Sequence, residues 1–267
     1  MPEGPEVLTT VKDLKEVVGQ SVSFNKLLDD RVFKTPFYNM AGKDIVIESI
    51  NAYGKYIVIK FSKYAMIVHL GMAGKLIIDD GKYEMPKHCS WFIHLTNGKQ
   101  LRYVDFRYFG NTWHMSYEDC MKYIHSHVGP EIFDINAETF IMLTKQPKYR
   151  NKILKDQLMN QKYIAGVGNI YASEICYEAF ISPHKLIHEL TDKQIEHIFY
   201  ATKKVLERAI KNNGTTFRDY RNAKNQKGNN QHFLKAYKQL ECKRCNTPMT
   251  KEKIKDRMTY WCSSCQK

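Results

Sequence analysis

No stretch of the 267 residues approaches 18 consecutive apolar positions, so the sequence lacks the segment that a membrane-spanning helix requires. The opening MPEGPEVLTT has neither the basic start nor the apolar run of a secretory leader. A protein of an intracellular, reducing compartment with no membrane association is therefore expected. No internal repeat is found, which sets aside solenoids and propellers. Polarity is also too low for disorder: 43% of residues are apolar and 12% aromatic, enough to offset the entropy of ordering a core in one or two domains.

Acidic residues are scarce at one end only. Residues 1–200 carry 24 Lys/Arg against 23 Asp/Glu, whereas residues 201–267 carry 17 against 5, so +12 of the formal +13 lies in the last quarter. A basic excess this local suits a polyanion, because each cation near a phosphate releases a condensed counterion. A solvated charged face kept for solubility is the plainer alternative.

Cysteine is sparse and odd in number. Of seven, Cys89, Cys120 and Cys176 are scattered and read as reduced thiols, while Cys242, Cys245, Cys262 and Cys265 form C-x2-C, sixteen residues, C-x2-C. That spacing is the zinc-ribbon pattern, a structural Zn²⁺ site with a closed shell of four thiolates. Two disulfides are the alternative, disfavoured in a reducing compartment.

Periodicity organises the rest. Val7, Val11, Leu14 and Val18 make one helical stripe. After Gly19 come short β-rich runs at Ser21–Leu27, Asp44–Ile50, Tyr56–Phe61, Met66–Leu70, Leu76–Ile78, Trp91–Leu95 and Leu101–Val104, punctuated by pairs such as Ala41-Gly42, Tyr53-Gly54 and Asn97-Gly98. Such spacing predicts a sandwich or barrel-like pair of sheets. From about Tyr117 the pattern is helical, with helices over Ile153–Leu158, Ala172–Ala179 and Thr191–Lys211, the last opened by a Thr191/Gln194 capping box and stopped at Asn213-Gly214. Residues 215–235, polar and basic, read as a mobile loop able to order on DNA.

Two segments carry chemical potential. With Met1 removed, Pro2 presents a secondary amine of ordinary pKa near 8, a usable nucleophile toward a sugar carbon, with Glu3 and Glu6 nearby for proton transfer. An ordinary helix start is the alternative. GVGNIYASEI at 166–175 places glycines before a helix, where backbone N–H groups and Asn169 can hold a phosphate. It lacks the Gly-Lys-Ser/Thr of a Walker loop, and a tight turn between packed helices is the alternative.

These motifs recur together, in order. PEGPE at 2–6, GKY at 54–56, HLGM at 69–72, RYVDFRYFG at 102–110, DQLMNQKYIAGVGNIYASEI at 156–175, GTTFRDY at 214–220 and RMTYWCSSCQ at 257–266 run nearly end to end. The sequence resembles the formamidopyrimidine-DNA glycosylase/endonuclease VIII (Fpg/Nei) family of base-excision repair enzymes. The resemblance implies an α+β fold: an N-terminal helix plus a two-layer β-sandwich over 1–116, a helix-two-turn-helix domain over 117–235 with a flexible loop at 217–235, and a four-cysteine zinc-finger β-hairpin over 236–267.

It also implies a bifunctional glycosylase and abasic-site lyase acting on damaged double-stranded DNA as a monomer, with a non-catalytic zinc-ribbon damage-binding protein as the rival. Pro2 matches the nucleophile, Glu3 the proton-handling carboxylate, Glu6 a second carboxylate of the same pocket, and Lys55 a lysine on the phosphate beside the lesion. Asn169 matches the residue of the helix-two-turn-helix motif that clamps the phosphate backbone, Lys155 a further lysine near the lesion, and Arg257 the arginine at the zinc-finger hairpin. Met72, Arg107 and Phe109 match the three residues that fill the stack when a base is flipped out. Lesion choice is divided: PEGPE resembles the endonuclease VIII branch, whereas HLGM, RYFG and the long 217–237 segment resemble the formamidopyrimidine branch.

Overall fold

The computed structural model describes residues 1–38, 42–81 and 84–267, so Ala41 of the expected Ala41-Gly42 break lies outside the described residues. The chain divides into two units, 1–126 with 212–231, and 127–211 with 232–267. Compactness therefore does not divide the chain at the expected 116/117 and 235/236.

In the first unit Val7, Val11 and Leu14 of the N-terminal stripe lie on α1 (Gly4–Leu14), which ends before Val18. Eight strands follow: β1 (Ser21–Leu27), β2 (Gly42–Tyr53), β3 (Tyr56–Phe61), β4 (Ala65–His69), β5 (Lys75–Asp79), β6 (Cys89–Leu95), β7 (Gln100–Val104) and β8 (Asn111–Met115). They are hydrogen-bonded in the order β5-β7-β6-β1-β2-β3-β4-β8. Among the described residues, neighbouring strands of this sheet pair antiparallel, and β2 is the link: its start pairs with β1 and the rest, from Ile47, with β3. The two halves enclose one core, in which Val7, Val11 and Leu14 of α1 meet Ile57, Ile59 and Met66 from one side and Trp91, Ile93 and Leu101 from the other. The expected sandwich is this arrangement.

The strand β8 was not expected. Its inward residues, Thr112 and His114, are polar, which hides the alternation that marks a half-buried strand. Burial is possible because both are bonded: Trp91 Nε1 donates to Thr112 Oγ1 at 3.2 Å, and the Tyr38 amide donates to His114 Nδ1 at 3.2 Å. α2 (Tyr117–His127) completes the unit together with residues 212–231.

That last segment, expected as a mobile loop able to order on DNA, is seated on the rest of the unit. Ala223 sits in the sandwich core and its carbonyl accepts from the Ile78 amide at 2.9 Å, while Lys224 pairs with Glu16 at 3.3 Å. Thr216 serves the segment's own backbone: its Oγ1 donates to the Tyr220 carbonyl at 3.1 Å and accepts from the Gly228 amide at 2.9 Å. A polar composition marks a loop, but here it marks a self-bonded one.

The second unit holds α3 (Ala137–Thr144), α4 (Leu154–Leu158), α5 (Asn169–Glu178) and α6 (Asp192–Lys211), with the hairpin β9 (Thr250–Ile254) and β10 (Arg257–Trp261). α6 buries Ile195, Phe199, Thr202, Leu206 and Ala209, the predicted stripe. Its capping box is formed, with Gln194 N donating to Thr191 Oγ1 at 3.3 Å and Thr191 N to Gln194 Oε1 at 3.0 Å. The stop is formed too, by Asn213 and Gly214 at φ +57° and +78°. Among the described residues no helix is long and apolar enough to cross a membrane.

His114 yields a stability prediction. Burial pulls its pKa down to about 4, and Nδ1 already accepts a backbone N–H, so protonation must break that bond. A depressed folded pKa gives stability that is full above the unfolded value near 6.5 and is lost as pH falls toward 4. Denaturant unfolding across this range should show a loss of up to about 3 kcal/mol from this group. His114→Gln, which retains an acceptor for Tyr38, should flatten the dependence.

Candidate functional site

The start of α1 is held from the side of the chain, not by its own turn alone. Pro2 and Glu3 are buried, and Glu3 is the N-cap residue with extended backbone. Glu6, 1% exposed, accepts from the Glu3 amide at Oε2 (2.8 Å) and from the Thr215 amide at Oε1 (2.7 Å). Tyr220 Oη donates to the Glu6 carbonyl at 3.1 Å. Gly214 packs so closely that an added Cβ would lie 2.8 Å from Glu6 Oε1. Glu6, expected as a second carboxylate of the catalytic pocket, directs its two oxygens at the backbone amides of Glu3 and of Thr215, the latter 209 residues away in sequence.

Lys55 lies in the two-residue turn between β2 and β3, where Tyr53 pairs with Tyr56 and Gly54 takes φ +58°. A left-handed first turn residue suits the twist of a tight hairpin and favours glycine. Lys55 is nevertheless buried, beside His69 at the end of β4. Burial first, and then the Lys55 charge, pull the His69 pKa down to about 4. The neutral imidazole stands 5.1 Å from the Tyr56 ring, and its Nδ1 accepts from the Gly71 amide at 3.3 Å. His69 was quoted only as part of a motif; its link between Lys55 and the turn before Met72 has no signature in sequence.

Met72, Arg107 and Phe109 are brought to one exposed rim. Met72 is 41% and Phe109 55% exposed, and the Arg107 guanidinium stands 4.8 Å over the Phe109 ring. Their two loops touch backbone to backbone: Gly71 has φ +61°, and a Cβ there would lie 2.4 Å from the Phe109 carbonyl carbon. Asp105, wholly buried, fixes the second loop by accepting from the amides of Arg107 (3.0 Å) and Gly110 (2.8 Å). Exposed apolar side chains on a pinned loop suit insertion into a partner.

In the second unit Lys155, buried in α4, donates to Asn169 Oδ1 at 2.5 Å. Asn169 Nδ2 donates to the Met258 carbonyl at 3.0 Å, tying the N-terminus of α5 to β10 beside exposed Arg257. Lys255, in the hairpin turn, pairs with Asp156 of α4. The three predicted positions are thus brought together. Glu174, missed by sequence reasoning, anchors the approach to the cysteine module: buried to 1% exposure, it accepts from the amides of Lys235, Ala236 and Tyr237 at 2.8–3.1 Å and from Arg208 at 3.3 Å.

The four cysteine sulfurs converge within 4.8 Å of one another. Cys242 and Cys265 are 3.8 Å apart and Cys245 and Cys262 3.5 Å, the sulfur separations expected around a tetrahedral ion with bonds of about 2.3 Å. The set can hold a metal ion. Tyr177 Oη lies 3.4 Å from Cys242 Sγ, and Arg244 donates to the Tyr177 carbonyl at 2.6 Å while stacking 3.5 Å over Phe180.

Comparison with known proteins agrees with this geometry. Residues 1–112 match the formamidopyrimidine-DNA glycosylase N-terminal domain and residues 128–221 the formamidopyrimidine-DNA glycosylase H2TH domain. The formamidopyrimidine-DNA glycosylase of Desulforamulus reducens is 36% identical over 279 residues, covering 100% of this chain and 99% of the other. The chain belongs to the formamidopyrimidine-DNA glycosylase family. The enzyme of that name from Enterococcus faecalis is 35% identical over 277 residues, covering 100% and 97%. The crystal structure of Lactococcus lactis Fpg with abasic-site DNA superposes with a TM-score of 0.88 at 29% identity, covering 99% of each chain. MutM in complex with DNA containing carbocyclic 8-oxo-G does so with 0.88 at 30% identity, also covering 99% of each. Membership makes this chain a DNA glycosylase of DNA repair.

For such a glycosylase the exposed rim depends on Gly71. Gly71→Ala places a Cβ against the Phe109 backbone at a positive φ, so unfolding in denaturant should show a loss of about 1–3 kcal/mol. Gly98→Ala, with the same sign of φ but nothing within 4 Å, should lose less.

Proposed function

We propose that this chain is a bifunctional glycosylase and lyase: it excises oxidised bases from duplex DNA through Pro2 and then cuts the abasic strand by β,δ-elimination. The observation that carries the reading is the burial of Pro2 and Glu3 at the head of α1. Chain ends ordinarily fray, and a terminal residue must be held to serve as a nucleophile. Once Met1 is removed, the Pro2 nitrogen forms a bond to C1′ as the glycosidic electron pair leaves with the base. The departing base takes up a proton and the Pro2 nitrogen gives up its N–H proton; Glu3 then delivers a proton to the ring oxygen as the C1′–O bond breaks, and the freed nitrogen lone pair completes an iminium. Loss of a C2′ proton then expels the 3′ phosphate, and a second elimination expels the 5′ phosphate. Lys55 holds the phosphate beside the reacting sugar.

Met72, Arg107 and Phe109 fill the space left by the flipped nucleotide, with the guanidinium facing the orphaned base. In the second unit Asn169 and Arg257 hold backbone phosphates, with buried Lys155 fixing the Asn169 amide; a guanidinium beside a bonded strand presents a fixed fork to phosphate oxygens. The substrate is damaged duplex DNA, and formamidopyrimidine lesions are the favoured class, in keeping with the relatives' names and the seated 214–231 segment. The ion of the cysteine cluster is one zinc, which supplies structure alone, since four thiolates leave no open position for water.

Borohydride added during reaction with a damaged duplex should trap a covalent protein–DNA adduct on protein that begins at Pro2. Protein retaining an N-terminal extension should bind the same DNA and give none. Absence of an adduct on every oxidised or abasic duplex would instead favour the non-catalytic damage-binding protein.

The metal assignment has its own measurement. Elemental analysis should find about one zinc per chain, and Cys245→Ser should lower both zinc content and duplex affinity while leaving most of the far-ultraviolet dichroism intact. Full zinc occupancy in a variant lacking both Cys262 and Cys265 would reject the ligand set.

A further inference from the structure

Glu6 touches both the head of α1 and the 212–231 segment through its two carboxylate oxygens. One bond reaches Glu3 N, the amide next to the Pro2 carbonyl, and the other Thr215 N. The contact is built from both sides. Gly214 at φ +78° leaves room for the carboxylate where a side chain would collide, and Tyr220 reaches back to the Glu6 carbonyl. Behind it the segment is internally fixed: Asn230 Nδ2 donates to Thr215 Oγ1 at 2.9 Å and Thr216 N to Gln231 Oε1 at 3.0 Å. Thr215 cannot leave Glu6 without carrying this network along, and Glu6 cannot follow it without releasing Glu3.

We propose that Glu6 is a positioning residue that makes the seating of the 214–231 segment and the placement of the N-terminal amine a single conformational state. Covalent attack at C1′ is then coupled to the seated segment even when no base is present to be recognised. The proposal rests on the Schiff-base reading above for its kinetic consequence, but the coupling itself is a property of the free protein.

A preformed abasic-site duplex separates this role from lesion recognition, because it offers no base for the segment to contact. Glu6→Ala breaks the link at the carboxylate, and Gly214→Ala displaces the segment while leaving Glu6 intact. Each should slow single-turnover borohydride trapping about tenfold or more, with duplex affinity within about twofold, and the double variant should be no slower than the slower single variant. Glu6→Gln keeps an acceptor for only one of the two amides and turns its NH2 on the other, so its trapping should stay within about threefold of Glu6→Ala. The pH–rate profile should keep both limbs in every variant, since no proton-transfer group is removed. Hydrogen exchange in the DNA-free protein supplies the second readout: the Thr215 amide should exchange faster in Glu6→Ala, and the Glu3 amide faster in Gly214→Ala.

Multiplying effects in the double variant, full-rate trapping by Gly214→Ala, or a lost limb in the Glu6→Gln profile would each overturn the proposal. Should the parent protein form no adduct at all, the Schiff-base reading falls and exchange alone decides the coupling. Unchanged Glu3 exchange in Gly214→Ala then rejects it.

Discussion

A buried carboxylate that accepts backbone N–H groups pins the rim loop, the head of α1 and the approach to the cysteine module. Asp105 takes two amides of the loop bearing Arg107 and Phe109, Glu6 takes Glu3 and Thr215, and Glu174 takes three successive amides ahead of the cysteine module. A bond from an amide to a carboxylate contributes about 1.5–3 kcal/mol, and an unbonded amide in a buried loop costs a similar amount. One acidic side chain therefore fixes a loop that has few apolar residues to bury. Glu174 shows the balance: burial pushes its pKa up, and the three amides and Arg208 pull it back.

The pinned loops explain how apolar residues can stand in solvent at the rim. A loop free to move would fold Met72 and Phe109 inward to bury them. Asp105 and the backbone contact at Gly71 remove that freedom, so both side chains remain exposed. The cysteine module uses the same economy by another means. Its own core is small, with Cys242 and Cys262 packed on Ala236 and Tyr177, and convergent thiolates stand where a larger domain would place aliphatic side chains.

Much of the fold was legible because it follows from periodicity. The α1 stripe, β1 and β3 to the residue, the α6 stripe with its cap, and the cysteine spacing all reflect local rules that tertiary structure had no cause to override. β8 was hidden because its inward residues are polar and depend on partners distant in sequence, Trp91 and Tyr38, which sequence cannot pair. In residues 215–235 composition alone does not show which side chains bond their own backbone, as Thr216 does. Glu6 was legible as important but not as a brace, since its second partner lies 209 residues away. Asn169 stood out by its motif, yet only the structure shows both ends of its amide engaged, with Lys155 and with Met258.

The basic C-terminal quarter shows how far formal charge can mislead. Seventeen cations stand there against five acids, but the structure divides them by what they touch. Arg208 is bound to buried Glu174; Lys204, Lys235 and Arg244 surround Glu178; Lys255 is paired with Asp156 and Lys224 with Glu16. Those cations neutralise carboxylates of the fold, and a cation already paired gains little from a phosphate and releases few of its counterions. Arg257, Lys251 and Lys253 have exposed side chains on the hairpin that Asn169 fastens to α5. These hairpin cations are among those left to draw in a polyanion, and where they act depends on the Asn169 amide that holds the hairpin in place.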